Sequence, residues 1–349
     1  VLEVLGEPLA IVLIGLTGGL VLGLAARLAG FCTLGMIEDV HYGENTGRIY
    51  LWLAALGIAI FLNHALHHLG YLDLGRVVYL QNNYTIAGAI IGGLIFGYGM
   101  AQAGNCGFTA LARFGGGDLR AMVIALVMGV AALIALSGIL APLRILFFDA
   151  TPAHGTPTSL AFLAGDLVAP SVLGMTLGLT VFLIAIVKTP KARLLRNTFW
   201  GMAVGVAVTW GFFGTYWVGQ NGWQAWPVVS QTFAASIGET IHYAMFSSGL
   251  AAKFGIGSVI GVISGGFLGS LIKGGFRWEA CEDPRELKRQ LFGAVLMGFG
   301  AVLAAGCSIG QGLSAMSSLS ITAPLVAAAI WLGAWVGLRQ LILGFAAES

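Results

Sequence analysis

Apolar residues fall into long unbroken blocks, separated by short segments that hold nearly all the charged side chains. Nine blocks stand out, near 8–29, 48–69, 86–104, 120–142, 170–188, 196–217, 250–272, 290–306 and 322–345. Blocks of this length are what a helix needs to cross roughly 30 Å of hydrocarbon. They predict an all-α polytopic membrane protein of about nine spans. Composition agrees: 58% of the 349 residues are hydrophobic and 9% are charged, against about a quarter charged in soluble domains. No segment outside the blocks is large enough to fold alone. The first block is long and glycine-rich, without a basic start or a small-residue cleavage site, so it reads as a span rather than a signal peptide.

The charges between the blocks predict orientation. With nine crossings, 14 of the 17 lysines and arginines collect on one side: Arg27, Arg48, Arg113, Arg120, Lys188, Lys191, Arg193, Arg196, Lys273, Arg277, Arg285, Lys288, Arg289 and Arg339. Only Arg76, Arg144 and Lys253 fall on the other. The positive-inside rule then places the N-terminus in the periplasm and the C-terminus in the cytoplasm of a bacterial inner-membrane protein. The net charge of +2 carries no footprint for nucleic acid. One transmembrane domain, 1–349, is expected, built as an inverted repeat: 1–145 holds spans one to four, 170–190 links, and 196–349 holds spans six to nine.

A short motif supports that repeat. Gly97-Tyr-Gly99 leads through six residues to Cys106, and Gly298-Phe-Gly300 leads through six residues to Cys307. Each cysteine ends an apolar stretch and is followed by small residues, Gly107 onward in the first copy and Ser308-Ile-Gly310 in the second. Cys32 ends the first span at a comparable break, Gly30-Phe-Cys-Thr-Leu-Gly35. Non-helical backbone at membrane depth must be buried in protein or line a wet cavity, and repeats of this kind place their shared site near the midplane on interrupted helices. A helix that restarts there presents free N–H groups and the positive end of its dipole, which favours anions. A thiol at the same point is a weak, polarizable donor suited to sulfur. The pathway candidates are therefore Cys32, Cys106 and Cys307, with Gly97, Gly99, Asn105, Gly107, Gly298, Gly300, Gly306 and Gly310 as supporting backbone.

Other features weigh less. No CxxC pair or zinc spacing exists, so no metal or cofactor is expected. Cys281, in the charged stretch 274–289, reads as an ordinary thiol. His64, His67 and His68 share a helix face that suits a metal, with an interfacial polar cap as the simpler reading. Gly115-Gly-Gly-Asp-Leu-Arg120 lacks the Gly-Lys-Ser/Thr of a phosphate loop; it predicts a return from a re-entrant segment, with Asp118 capping the next helix. Pro152 and Pro157 predict a loop over 146–169. Trp217, Trp223 and Trp226 suit an aromatic belt, and Glu239 reads as a helix-start acid.

Taken together, Phe31-Cys-Thr-Leu-Gly-Met-Ile-Glu-Asp39, Gly97-Tyr-Gly-Met-Ala-Gln-Ala-Gly-Asn-Cys106 and Gly298-Phe-Gly-Ala-Val-Leu-Ala-Ala-Gly-Cys-Ser-Ile-Gly-Gln-Gly-Leu-Ser314 resemble the YeeE/YedE sulfur-transport family over nearly the whole chain. The resemblance implies nine spanning helices with short re-entrant helices in hourglass-like halves. It also implies uptake of thiosulfate or a related small sulfur anion past Cys307, Cys106 and Cys32, with a cytoplasmic TusA-like sulfur-carrier protein as partner and membrane lipid as surroundings. Asn105 departs from the glycine common in the family before that cysteine. A membrane thiol oxidoreductase and a passive small-anion channel are the alternatives. The first needs a resolving thiol close to the attacking one, and no close cysteine pair exists in the sequence; the second needs no thiols.

Overall fold

The computed structural model describes residues 6–43, 46–81, 85–148, 159–160, 169–280 and 284–348. Cys281 and most of the predicted loop 146–169 lie outside the described residues. The described chain is helical, joined by isolated bridging pairs at Val77–Val228, Asp118–Glu279 and Ser159–Ser320. The long helices are α1 (Glu7–Leu28), α3 (Gly47–His68), α5 (Ile86–Ala103), α7 (Leu119–Leu136), α9 (Pro170–Lys188), α10 (Leu194–Asn221), α12 (Phe254–Ile272), α13 (Pro284–Leu303) and α14 (Thr322–Glu348). Between them lie the shorter α2 (Thr33–His41), α4 (Val78–Gln81), α6 (Gly107–Gly115), α8 (Ala141–Phe148) and α11 (Ala234–Phe246). A helix that restarts after Cys307 contains a π-helical stretch, Gly310–Ala315.

Every predicted span is met by a helix, with three differences. Among the described residues, eight helical segments are long and apolar enough to cross a membrane. The block 290–306 does form a helix, α13, but it begins at Pro284 and its first two turns carry Glu286, Lys288 and Arg289. Its apolar part therefore starts late and is short. The fourth span stops at Leu136 rather than 142, because Ser137-Gly138 breaks the helix and Pro142 starts α8. The segment around Glu239 is a helix of its own, α11.

The long helices pack in recurring pairs. Helix α1 packs on α12 as α10 packs on α3; α5 packs on α14 as α13 packs on α7. Helices α5 and α13 meet each other through glycines. A Cβ on Gly99 would stand 2.6 Å from the Gly293 carbonyl oxygen, and one on Gly293 would stand 2.6 Å from that of Gly99. Gly92 and Gly300 repeat the reciprocal approach one step along, at 2.8 and 2.7 Å. Small residues at such crossings let backbones come close where apolar burial supplies little drive. Helix α9 lies against α3.

Candidate functional site

The three predicted cysteines share one local construction. The residue two before each has positive φ: Gly30 at 75°, Gly104 at 72° and Ala305 at 55°. Glycine adopts this region freely, whereas alanine does so at a cost. The left-handed residue ends one helix, and the cysteine then begins the next. Cys32 caps α2, accepting from Gly35 N–H at 3.3 Å on its sulfur. Cys106 caps α6 in a capping box: its sulfur accepts from Thr109 N–H, and its own N–H donates to Thr109 Oγ1 at 3.0 Å. Cys307 accepts from Gly310 N–H at 3.4 Å and from Phe233 N–H, across the bundle, at 3.3 Å. Each sulfur thus sits at the positive end of a helix, engaged by the N–H three residues on.

Tertiary structure gathers these caps. Cys32 borders the cavity that Asn105 and Thr109, the neighbours of Cys106, also line, and Phe108, two residues after Cys106, meets Phe233, whose N–H donates to Cys307. Cys106 and Cys307 are buried, 1% and 2% exposed, while Cys32 is partly exposed. Ser308, which follows Cys307, is buried as well. Three aromatic rings accompany the thiols. Phe31 meets Phe108 edge-on at 6.2 Å, and Phe108 meets Phe233 at 5.2 Å. All three rings are fully buried and form one aromatic run from Phe31 to Phe233.

At the Phe31 end of this run a cavity of about 260 Å³ reaches Cys32, Asn105 and Thr109, and is lined by Arg27, Arg48 and Arg113. Arg27 Nε donates to Ser270 Oγ at 2.7 Å; Arg48 reaches the Gly35 carbonyl at 3.2 Å and Asp39 at 3.5 Å; Arg113 pairs with Asp118 at 3.0 Å. At the Phe233 end a cavity of about 330 Å³ reaches Thr232, Ser230 and Ser236 and is bordered by Lys253. Thr232 Oγ1 is 3.8 Å from Cys307 Sγ. Helix α5 runs from the second end to the first.

The predicted supporting residues divide. Asn105 lines the arginine cavity with its Oδ1 unpartnered among the described residues, and Gly310 lies beside Thr232. Gly107 packs on Met128. Gly306 stands at the break, where the Gln311 amide donates to the Ala304 and Ala305 carbonyls at 2.9 and 3.0 Å. Gly97, Gly99, Gly298 and Gly300 face neighbouring helices α14, α13, α7 and α5, so they hold the frame rather than line a cavity. Asp118 caps α7 as predicted, accepting from Arg120 and Ala121 N–H at 3.1 and 3.2 Å.

Two lesser expectations change. Glu239 lies inside α11 and pairs with Lys253 at 2.9 Å, because the helix starts five residues earlier than its acid suggests. His64 is buried against Gly174 of α9 rather than capping an interface, and His67 and His68 bond separately to the Leu72 carbonyl and Ser171. Thr109, Gln311, Thr232 and Phe233 were not singled out in the sequence. Thr109 has the three-residue spacing of a capping box and was findable; Thr232 and Phe233 reach Cys307 only through tertiary packing.

The family model described as sulphur transport matches residues 29–336. The thiosulfate transporter TsuA of Escherichia coli (strain K12) is 28% identical over 348 residues, covering 96% of this chain and 93% of that protein. The thiosulfate transporter TsuA of Spirochaeta thermophila is 23% identical over 344 residues, covering 92% and 96%. With most of its length matched by the family model and eight helical segments able to span a membrane, the chain belongs to the sulphur-transport family, as a multi-pass membrane transporter and not an enzyme.

Proposed function

We propose that this protein carries thiosulfate, or a closely related small sulfur anion, inward across the bacterial inner membrane past Cys307, Cys106 and Cys32 in that order. The observation that carries the reading is the threefold recurrence of one device, a thiol at a helix start, in a region bordered by two cavities. The relatives' names supply the substrate class. The anion is held by helix dipoles, N–H groups and thiols, with no cation in the buried stretch. Weak holding suits conduction, since an ion must leave as readily as it enters. The arginine cavity is the cytoplasmic end, by the charge asymmetry, and its guanidinium groups receive the anion after the buried stretch. The halves 1–145 and 196–349 act as paired gates, and a sulfur-carrier protein of the TusA type takes the product at the arginine end. The aromatic run Phe31–Phe108–Phe233 is the closed barrier that must shift during passage.

The test is uptake of labelled thiosulfate by the full chain in proteoliposomes, with growth on thiosulfate as sole sulfur source in cells lacking their own uptake. Cys106→Ala and Cys307→Ala should each abolish uptake. Sulfate should compete poorly even in large excess, because stripping water from a hard oxyanion without compensation costs several kcal/mol. Equal competition by sulfate, with uptake surviving loss of both cysteines, would make the protein a passive anion channel instead.

A further inference from the structure

Helix α13 begins before its apolar block, and its first turns carry Glu286, Arg289 and Gln290. These three side chains wall a second cavity at the arginine end, of about 190 Å³, completed by Asn105, Arg113, Asp118 and Arg120. Asn105 and Arg113 also line the 260 Å³ cavity that reaches Cys32. The two spaces therefore adjoin at the residue directly before Cys106.

The charges around the second cavity do not cancel. Asp118 is engaged by Arg113 at 3.0 Å and Arg120 at 3.5 Å, besides capping α7. Glu286 accepts from Gln290 Nε2 at 2.7 Å and lies 4.0 Å from Arg120. The Arg289 guanidinium has no ion pair or hydrogen bond among the described residues, and its Nε is shielded from solvent. Three guanidinium groups thus face two carboxylates, and the uncompensated one is Arg289. Asn105, 4% exposed, likewise has a side-chain amide without a partner among the described residues. Buried polar groups left unpaired cost free energy until something meets them. An amide that nothing fixes can turn its NH2 group toward the cavity and donate.

We propose that this cavity binds a small free anion on the cytoplasmic side, with Arg289 as its cation and the Asn105 amide as a neutral donor. Arg113 and Arg120 would have to give up a carboxylate to take an added anion; Arg289 would not. The site's role rests on the transport reading above: an anion leaving Cys106 passes Asn105 and lodges at Arg289 before release. Its binding does not rest on that reading. A lipid phosphate carries the same charge, and the test separates the two sources.

The test follows the melting temperature of the full chain in detergent against added sodium thiosulfate, with ionic strength held constant by sodium gluconate. It uses the Cys106→Ala, Cys307→Ala background, which removes the thiol path and keeps every side chain that lines the cavity. Thiosulfate should raise the melting temperature, and Arg289→Gln should move the midpoint concentration up about tenfold, the scale of one hydrogen bond to a charged group. Arg289→Lys should largely restore it. Lys288→Gln, one residue away and outside the cavity, should keep the parental midpoint. With no thiosulfate, Arg289→Gln should melt with its parent, since no partner is lost. An unmoved midpoint in Arg289→Gln would overturn the inference. So would stabilisation by phosphatidylglycerol micelles but not by thiosulfate, which would make the bound group a lipid phosphate. In inverted membrane vesicles with the cysteines restored, Arg289→Gln should raise the KM for thiosulfate at the cytoplasmic face about tenfold; an unchanged KM would overturn the release role. Binding as expected, with no transport by the parent, would refute the transport reading and uphold the site.

Discussion

Cys307 holds two duties that substitution can separate. Its sulfur accepts from Phe233 N–H at 3.3 Å and Gly310 N–H at 3.4 Å, in a site 2% exposed. Alanine would strand both donors away from water. A stranded buried donor costs about 1–3 kcal/mol, and a sulfur acceptor belongs at the weak end, so the pair amounts to about 2 kcal/mol. Losing an N-cap by itself costs about 1 kcal/mol, which is consistent with that total. Serine is a preferred N-cap, and its oxygen accepts from the same two donors, so Cys307→Ser should keep nearly all of the stability. It should not keep transport, because a hydroxyl cannot offer the soft contact that a sulfur anion meets at a thiol. The assay pairs thermal unfolding in detergent, read by size-exclusion fluorescence, with thiosulfate uptake in proteoliposomes. Expected results are a melting temperature lowered by several degrees for Ala, one near the parent for Ser, and uptake lost in both. Parental uptake by Cys307→Ser would refute the thiol's role. An alanine variant as stable as the parent would refute the capping account.

Further outcomes follow from the same geometry. Cys32 borders the arginine cavity while Cys106 is 1% exposed; a small impermeant thiol reagent applied from that end should modify Cys32 far faster, and equal rates would mean the aromatic run is no barrier. Ala305→Gly should raise thermal stability by about 1 kcal/mol, since glycine tolerates a φ of 55° that alanine resists. Gly97→Ala should destabilise by about 1–3 kcal/mol or prevent accumulation, because its Cβ would lie 2.1 Å from the Ile330 carbonyl oxygen. Gly275→Ala, with nothing within 4 Å, is the control and should melt with the parent. Reporters at the two termini should fall on opposite sides of the membrane, with the C-terminus cytoplasmic; both on one side would refute the orientation.

Hydropathy blocks were sufficient to determine where the helices lie, because a helix in hydrocarbon satisfies its own backbone and needs only an apolar surface of the right length. The same local logic made Cys32, Cys106 and Cys307 visible as breaks, and Asp118 as a cap, since caps depend on residues three apart. It did not show that the helix of the eighth block begins earlier, taking in Glu286, Lys288 and Arg289, because periodicity does not say where hydrocarbon ends. What the sequence left undetermined depends on residues far apart in the chain. The Gly99–Gly293 and Gly92–Gly300 approaches, the Phe31–Phe108–Phe233 run and the meeting of Thr232 and Cys307 arise from helices crossing at particular heights and angles. Membrane helices pack by shape rather than by hiding apolar surface from water, so no run of hydrophobic letters encodes which faces meet. The thiols could be counted in the sequence, but packing decided what stands beside them.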